Sequence, residues 1–354
     1  MGNLLQDILS APAAAATIIV ALITALVSLW IAIWNSYAVR QLERDKASLQ
    51  ELLEARKLEF QTKLETTKSE LLNSFSEKDA RRDYEYEARK RLYAEIEPLL
   101  FQLHEATEEA YYRVKSLART SRDNDLEWLT REGYYLKSTI HRLLLPAVIF
   151  RIIQRRMTFV DLHVDATIQA KYHLVKMYAW SFTDDFDFKI PGLAYKPDDA
   201  TPERLKENPA TYWRQGVYTG TLENAIDAML MREGESLRPM TFGEFEAAVH
   251  PQAATRASLQ PLVDLYFKFE PAKRPILARM LKAQGCIAAL LLLAYRETPR
   301  PGLLSGGLEH FLRSEDFGQD FCWSKGQPAG DTEMMQSYVS RKFSRIAGCD
   351  WASA

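Results

Sequence analysis

Three things are scarce in this chain: cysteine, the signature motifs of catalysis, and, over one long stretch, charge, glycine and proline. The three cysteines, Cys286, Cys322 and Cys349, are odd in number and far apart. That spacing excludes a disulfide framework and the usual zinc sites, and it fits a body kept under reducing conditions. No P-loop, dinucleotide-binding glycine run, HExxH or GxSxG is present, so no catalytic residue is assigned and an enzyme is not expected. The six histidines stand singly. His163, flanked by Asp161 and Asp165, comes nearest to a ligand cluster, but residues two apart on a helix point about 200° apart and do not converge. Asp184, Asp185 and Asp187 are read as a helix terminus. No metal site is expected. A formal net charge of -2 implies no acidic or polyanionic partner.

No charged residue lies between Asp7 and Arg40, and Ala13 to Trp34 is apolar apart from Thr17, Thr24 and Ser28. A run of about 20 such residues crosses the hydrocarbon core as one helix. Trp30, Trp34 and Tyr37 lie toward its end, where aromatic rings settle at the headgroups. The first residues lack the basic region of a cleaved signal and the Ser or Thr of a myristoylation signal, so a retained span is expected. Arg40, Arg44 and Lys46 follow the span and predict a cytoplasmic C-terminal body. Thr17, Ala21, Thr24, Ser28 and Asn35 share one face. Small and hydroxyl side chains there serve either as a helix-packing seam or, in a ring of helices, as the lining of a pore.

Neither glycine nor proline occurs from Ile18 to Glu97, and strong helix formers dominate after Arg40. The span is therefore expected to continue into a stalk helix. Leu42, Leu49, Leu53, Phe60, Leu64, Leu71 and Phe75 recur at alternating spacings of seven and four, an eleven-residue repeat that favours a nearly straight bundle. Arg40 to Glu70 carries seven basic and seven acidic residues, so the polar faces have no basic excess to hold the helix on a lipid surface. The seam predicts either a parallel homo-oligomer or a stalk folded back on its own chain.

Pro98 predicts a kink or boundary. Beyond it the patterns predict a mainly α protein: helices at 99–120, 126–145, 146–157 and 160–182, a long ordered loop with a short helix at 202–207, then helices at 221–233, 241–248, 255–269, 272–296 and 331–346. The apolar run from Ala283 to Ala294 lies too close to Arg279, Lys282 and Arg296 for a second span and is read as a buried core helix. The segments are thus a tail and membrane helix (1–39), an oligomerising stalk (40–97), a helical bundle (98–182), an ordered loop region (183–220) and a C-terminal helical region (221–354). Within the bundle, Arg151, Arg155 and Arg156 punctuate an apolar helix, either as an ion-paired rim or as a contact for an anion or oligonucleotide. Gly216 to Thr221 reads as a turn and helix cap, with anion binding the lesser alternative.

One span, a long stalk and a large helical body without a catalytic set resemble, in layout, the membrane effectors of bacterial anti-phage systems. The plan is most similar to the effector of the Hailong system, a tetramer with N-terminal membrane helices held shut by nucleic-acid oligomers from a partner nucleotidyltransferase. No ligand-binding residue of that family maps onto a position here. The resemblance implies a gated ion channel or membrane-disrupting effector in the bacterial inner membrane, with the N-terminus outside, a tetrameric assembly and a regulatory oligonucleotide as its only cofactor. The rival expectation is a non-conducting single-pass tether that recruits a cytoplasmic protein.

Overall fold

The computed structural model describes residues 12–123, 125–129, 133–157, 162–188, 190–296 and 332–347. The chain divides into two compact units, residues 1–83 and 84–354. Helix α1, Pro12–Arg122, runs without interruption through both. In the first unit every described side chain from Ala16 onward is exposed, and Lys63–Glu59 (2.7 Å) and Arg82–Asp79 (2.6 Å) pairs lie along the helix surface. Such i, i+4 and i, i+3 pairs support a solvated helix by about 0.2–0.5 kcal/mol each. The apolar N-terminal part of α1 is long and apolar enough to cross a membrane, and none of it is buried.

The second unit is a helical body. From Leu92 on, α1 buries Leu92, Ile96, Leu99, Leu103, Ala106, Ala110, Val114 and Leu117, the three-and-four spacing of a core-facing stripe. The body continues with α2 (Tyr134–Arg156), α3 (Ala166–Trp180), α4 (Pro202–Glu207), α5 (Pro209–Tyr212), α6 (Thr219–Ala228), a two-stranded antiparallel hairpin of β1 (Leu230–Glu233) and β2 (Ser236–Pro239), α7 (Phe242–Ala248), α8 (Arg256–Tyr266), α9 (Pro275–Arg296) and α10 (Thr332–Ala347). The centre is α9 against α3, with α2 and α10 packed on α3 in turn. Although α9 is also long and apolar enough to span a bilayer, 83% of its apolar window is buried in the body. It is the core helix that its flanking charges foretold.

Three expectations are corrected. Pro98 does not end its helix. It is exposed, between buried Ile96 and Leu99, so the carbonyl it leaves unpaired faces water while the packed stripe holds the backbone helical. Likewise α2 passes through the buried Pro146, merging the helices expected at 126–145 and 146–157. The Tyr178 hydroxyl donates to the Leu143 carbonyl at 2.8 Å, supplying a side-chain donor beside the turn that the proline disrupts. The start of that expected helix is instead a separate 3-10 turn, Leu126–Leu129. Finally, the helix expected to reach 233 stops at Ala228 and becomes the hairpin. Its two-residue turn begins at Gly234, whose φ of +60° suits glycine at the first central position of a tight hairpin. The expected helix 202–207 coincides with α4, capped by the Thr201 side chain. Cys322, Cys349 and the glycine-rich tail lie outside the described residues.

Candidate functional site on the long helix

The small-residue stripe and the stalk seam stand on the same unbroken helix, so one helical count runs through both. At about 100° per residue, Thr17, Ala21, Thr24, Ser28, Asn35, Leu42, Leu49, Leu53, Phe60, Leu64, Leu71 and Phe75 all fall within a sector of about 80°. The small-residue stripe and the large apolar row are therefore one line. Along it the chemistry changes from small and hydroxyl groups to large apolar ones where the apolar span gives way to charged sequence. All seven seam residues are more than half exposed, a row of large apolar side chains along one face of the helix. Within the stripe, the Thr24 hydroxyl donates to the Val20 carbonyl of its own helix at 2.7 Å. Trp30 and Trp34 are exposed, their rings 5.9 Å apart.

In the body, the arginine set is engaged by carboxylates. Arg151 lies 3.6 Å from Glu223 and, through Nε, 3.3 Å from Asp227, Arg155 lies 3.0 Å from the same Asp227, and Arg156 lies 3.5 Å from Glu95. The set thus fastens α2 to α6 and to α1. An incoming phosphate would have to displace these partners.

Asp165 is the N-cap of α3, accepting from the Thr167 and Ile168 amides at 2.8 and 3.0 Å, and from the Tyr93 hydroxyl at 2.5 Å. Burial pushes its pKa upward, but Tyr93, the two amides and Arg89 outweigh that and hold the carboxyl below its ordinary range. Asp184 precedes the 3-10 turn Asp185–Asp187. Asp184 and Asp187 accept from Lys342 at 2.9 and 2.8 Å, and Asp184 also from the Tyr338 hydroxyl at 2.6 Å, so the pair anchors α10. Asp185 is 2% exposed and accepts from Tyr195 and Arg214 at 2.6 and 3.4 Å. Burial raises its pKa against those partners. It borders an apolar cavity of about 440 Å³ lined by Phe186, Phe188, Leu193 and Tyr195.

Several organising residues carry no sequence signature. Gln215, fully buried, accepts the Ile276 and Leu277 amides at 2.7 and 3.1 Å and so caps α9 from the loop region. Arg274, 1% exposed, donates to the Asp264, Leu265 and Phe267 carbonyls at the end of α8 and stacks 3.7 Å from the Trp213 ring centre. Desolvation lowers its pKa to about 10. The turn at Gly216–Thr221 leads into α6 without a side-chain cap. Gly216 is needed for space, since a Cβ there would meet Asp185 at 2.9 Å. His104, Glu105 and Glu108, not singled out by the sequence, bring donor atoms within 4.8 Å of one another on one turn of α1, with the His104 ring 4.7 Å from that of Tyr295. Comparison with protein-family models, curated proteins and solved structures finds no match.

Proposed function

We propose that the protein is a homo-oligomeric membrane effector, in which α1 helices of several copies assemble in parallel through the line from Thr17 to Phe75. The cytoplasmic body controls a conducting path lined by the small and hydroxyl residues of the span. One observation carries this reading: the membrane stripe and the stalk seam occupy a single face of a single helix. A bundle held by the seam brings the stripes of its members together, where small side chains permit close approach and hydroxyls offer polar contact to a permeating ion. The anti-phage setting, the inner membrane, the tetramer and a regulatory oligonucleotide made by a nucleotidyltransferase rest on the resemblance in layout.

Thr24 favours a second reading. Its hydroxyl is satisfied by its own helix, so the stripe can pack dry, and the protein would then be a non-conducting tether. Vesicles loaded with an ion-sensitive dye decide between the two. The channel reading expects flux through the reconstituted full chain that falls when Ala21 or Ser28 is replaced by Leu while the oligomer persists. No flux from a verified oligomer, with or without added oligonucleotide, would leave the tether.

A further inference from the structure

One turn of α1 within the body carries three ligand-type side chains that have no polar partner among the described residues. The carboxylates of Glu105 and Glu108 enter no ion pair and accept no hydrogen bond there, whereas the next one along, Glu109, is paired with Arg142 at 3.6 Å. The imidazole of His104 is likewise unengaged, its Nδ1 buried and without a hydrogen bond. A buried, unpaired nitrogen is the kind of group that an ion or water ordinarily accounts for. Two carboxylates three positions apart on a helix also repel each other unless a cation lies between them.

The geometry brings these groups together. His104 and Glu108 are i, i+4 neighbours on one helix face, Glu105 stands beside them, and one donor atom from each lies within 4.8 Å of the other two. Ligands held about 2.0–2.2 Å from a tetrahedral Zn²⁺ lie about 3.4 Å from one another. Glu105 is exposed and Glu108 half-buried, so both can close that gap by rotating their side chains. The imidazole is placed by α9: its ring packs 4.7 Å from that of Tyr295, whose hydroxyl donates to the Leu100 carbonyl at 2.8 Å. Lys171 sits 4.1 Å from the same Tyr295 ring centre and forms no ion pair with either glutamate.

We infer that His104, Glu105 and Glu108 bind a divalent transition ion. One imidazole with two carboxylates is a nitrogen and oxygen set that favours Zn²⁺ over Mg²⁺ or Ca²⁺, which take oxygen ligands alone. Three protein ligands leave a further position to water. The inference rests on the body alone and is independent of conduction.

Calorimetric titration of the chelator-stripped, detergent-solubilised full chain with zinc chloride tests it. Saturable binding is expected, with affinity lowered about tenfold or more in Glu108→Gln and in His104→Ala. Zn²⁺ should also raise the melting temperature of the wild type more than that of Glu108→Gln. Co²⁺ in place of Zn²⁺ should show no thiolate charge-transfer band, which separates this site from binding at a cysteine. The inference is overturned by absence of saturable binding, by unchanged affinity in Glu108→Gln, by a thiolate band, or by displacement of Zn²⁺ with equimolar Mg²⁺. Unchanged affinity in a folded His104→Ala overturns it as well; if that variant does not fold, the near-isosteric Glu108→Gln decides alone.

Discussion

Gln215 shows how one side chain joins distant parts of the body. Its Oε1 takes the first amides of α9 while its Nε2 donates to the Ala210 carbonyl at 2.8 Å. Gln215→Leu keeps the bulk but leaves those amides buried without an acceptor, at a cost of about 1–3 kcal/mol for each group left unpaired. Denaturant titration of the full chain should show that loss, and Gln215→Glu, which retains an acceptor, should recover part of it. Equal stability of Gln215→Leu and wild type would mean that water or another group caps α9. Such a residue is invisible in sequence because glutamine is not among the preferred N-caps and acts here on amides about sixty positions away. Asp165 was legible only as an unlikely metal ligand, since its identity as a cap depends on where α3 begins. Of Arg151, Arg155 and Arg156 the sequence showed the positions, while their partners Glu223, Asp227 and Glu95 come from other elements of the fold.

At the scale of elements, period was informative and punctuation was not. The eleven-residue repeat and the uninterrupted helix formers foretold the long helix correctly, because local propensity and side-chain period agree there. Pro98 and Pro146 misled because tertiary packing overrides the cost of a proline, one on a solvated face and one beside a side-chain donor. The hairpin was missed because four-residue strands are too short to establish an alternating period against a preceding helix. The seam permits a discriminating test. Leu53 and Leu64 lie on the shared line, whereas the equally exposed Leu58 lies about 140° away from it. Burying each leucine in an assembly contributes roughly 1.5–3 kcal/mol, yet at exposed positions substitutions change monomer stability within about 0.5 kcal/mol. If the proposed oligomer forms through this line, Leu53→Asp with Leu64→Asp should dissociate it without reducing helicity, and Leu58→Asp should not. Light scattering and circular dichroism measure both, and equal behaviour of the two variants would rule the line out as the interface.

For the whole molecule, the division at residue 84 separates two kinds of stabilisation. The buried hydrophobic set begins at Leu92 and extends to Phe343, entirely within the second unit. The first unit contributes no buried side chain among its described residues, and an isolated amphipathic helix gains stability mainly from a partner for its apolar face. Folding of the body and assembly of the stalk should consequently be separable. A chain beginning at residue 40 keeps the whole seam and is expected to remain oligomeric without the span, since each copy still offers seven large apolar side chains against an association cost of about 4–15 kcal/mol. A chain beginning at residue 84 loses the seam and should be a folded, cooperatively melting monomer. Native mass and thermal denaturation of the two truncations test this directly. An oligomer from residue 84 onward would transfer the association surface to the body, whereas a monomer from residue 40 onward would show that assembly depends on the membrane stripe.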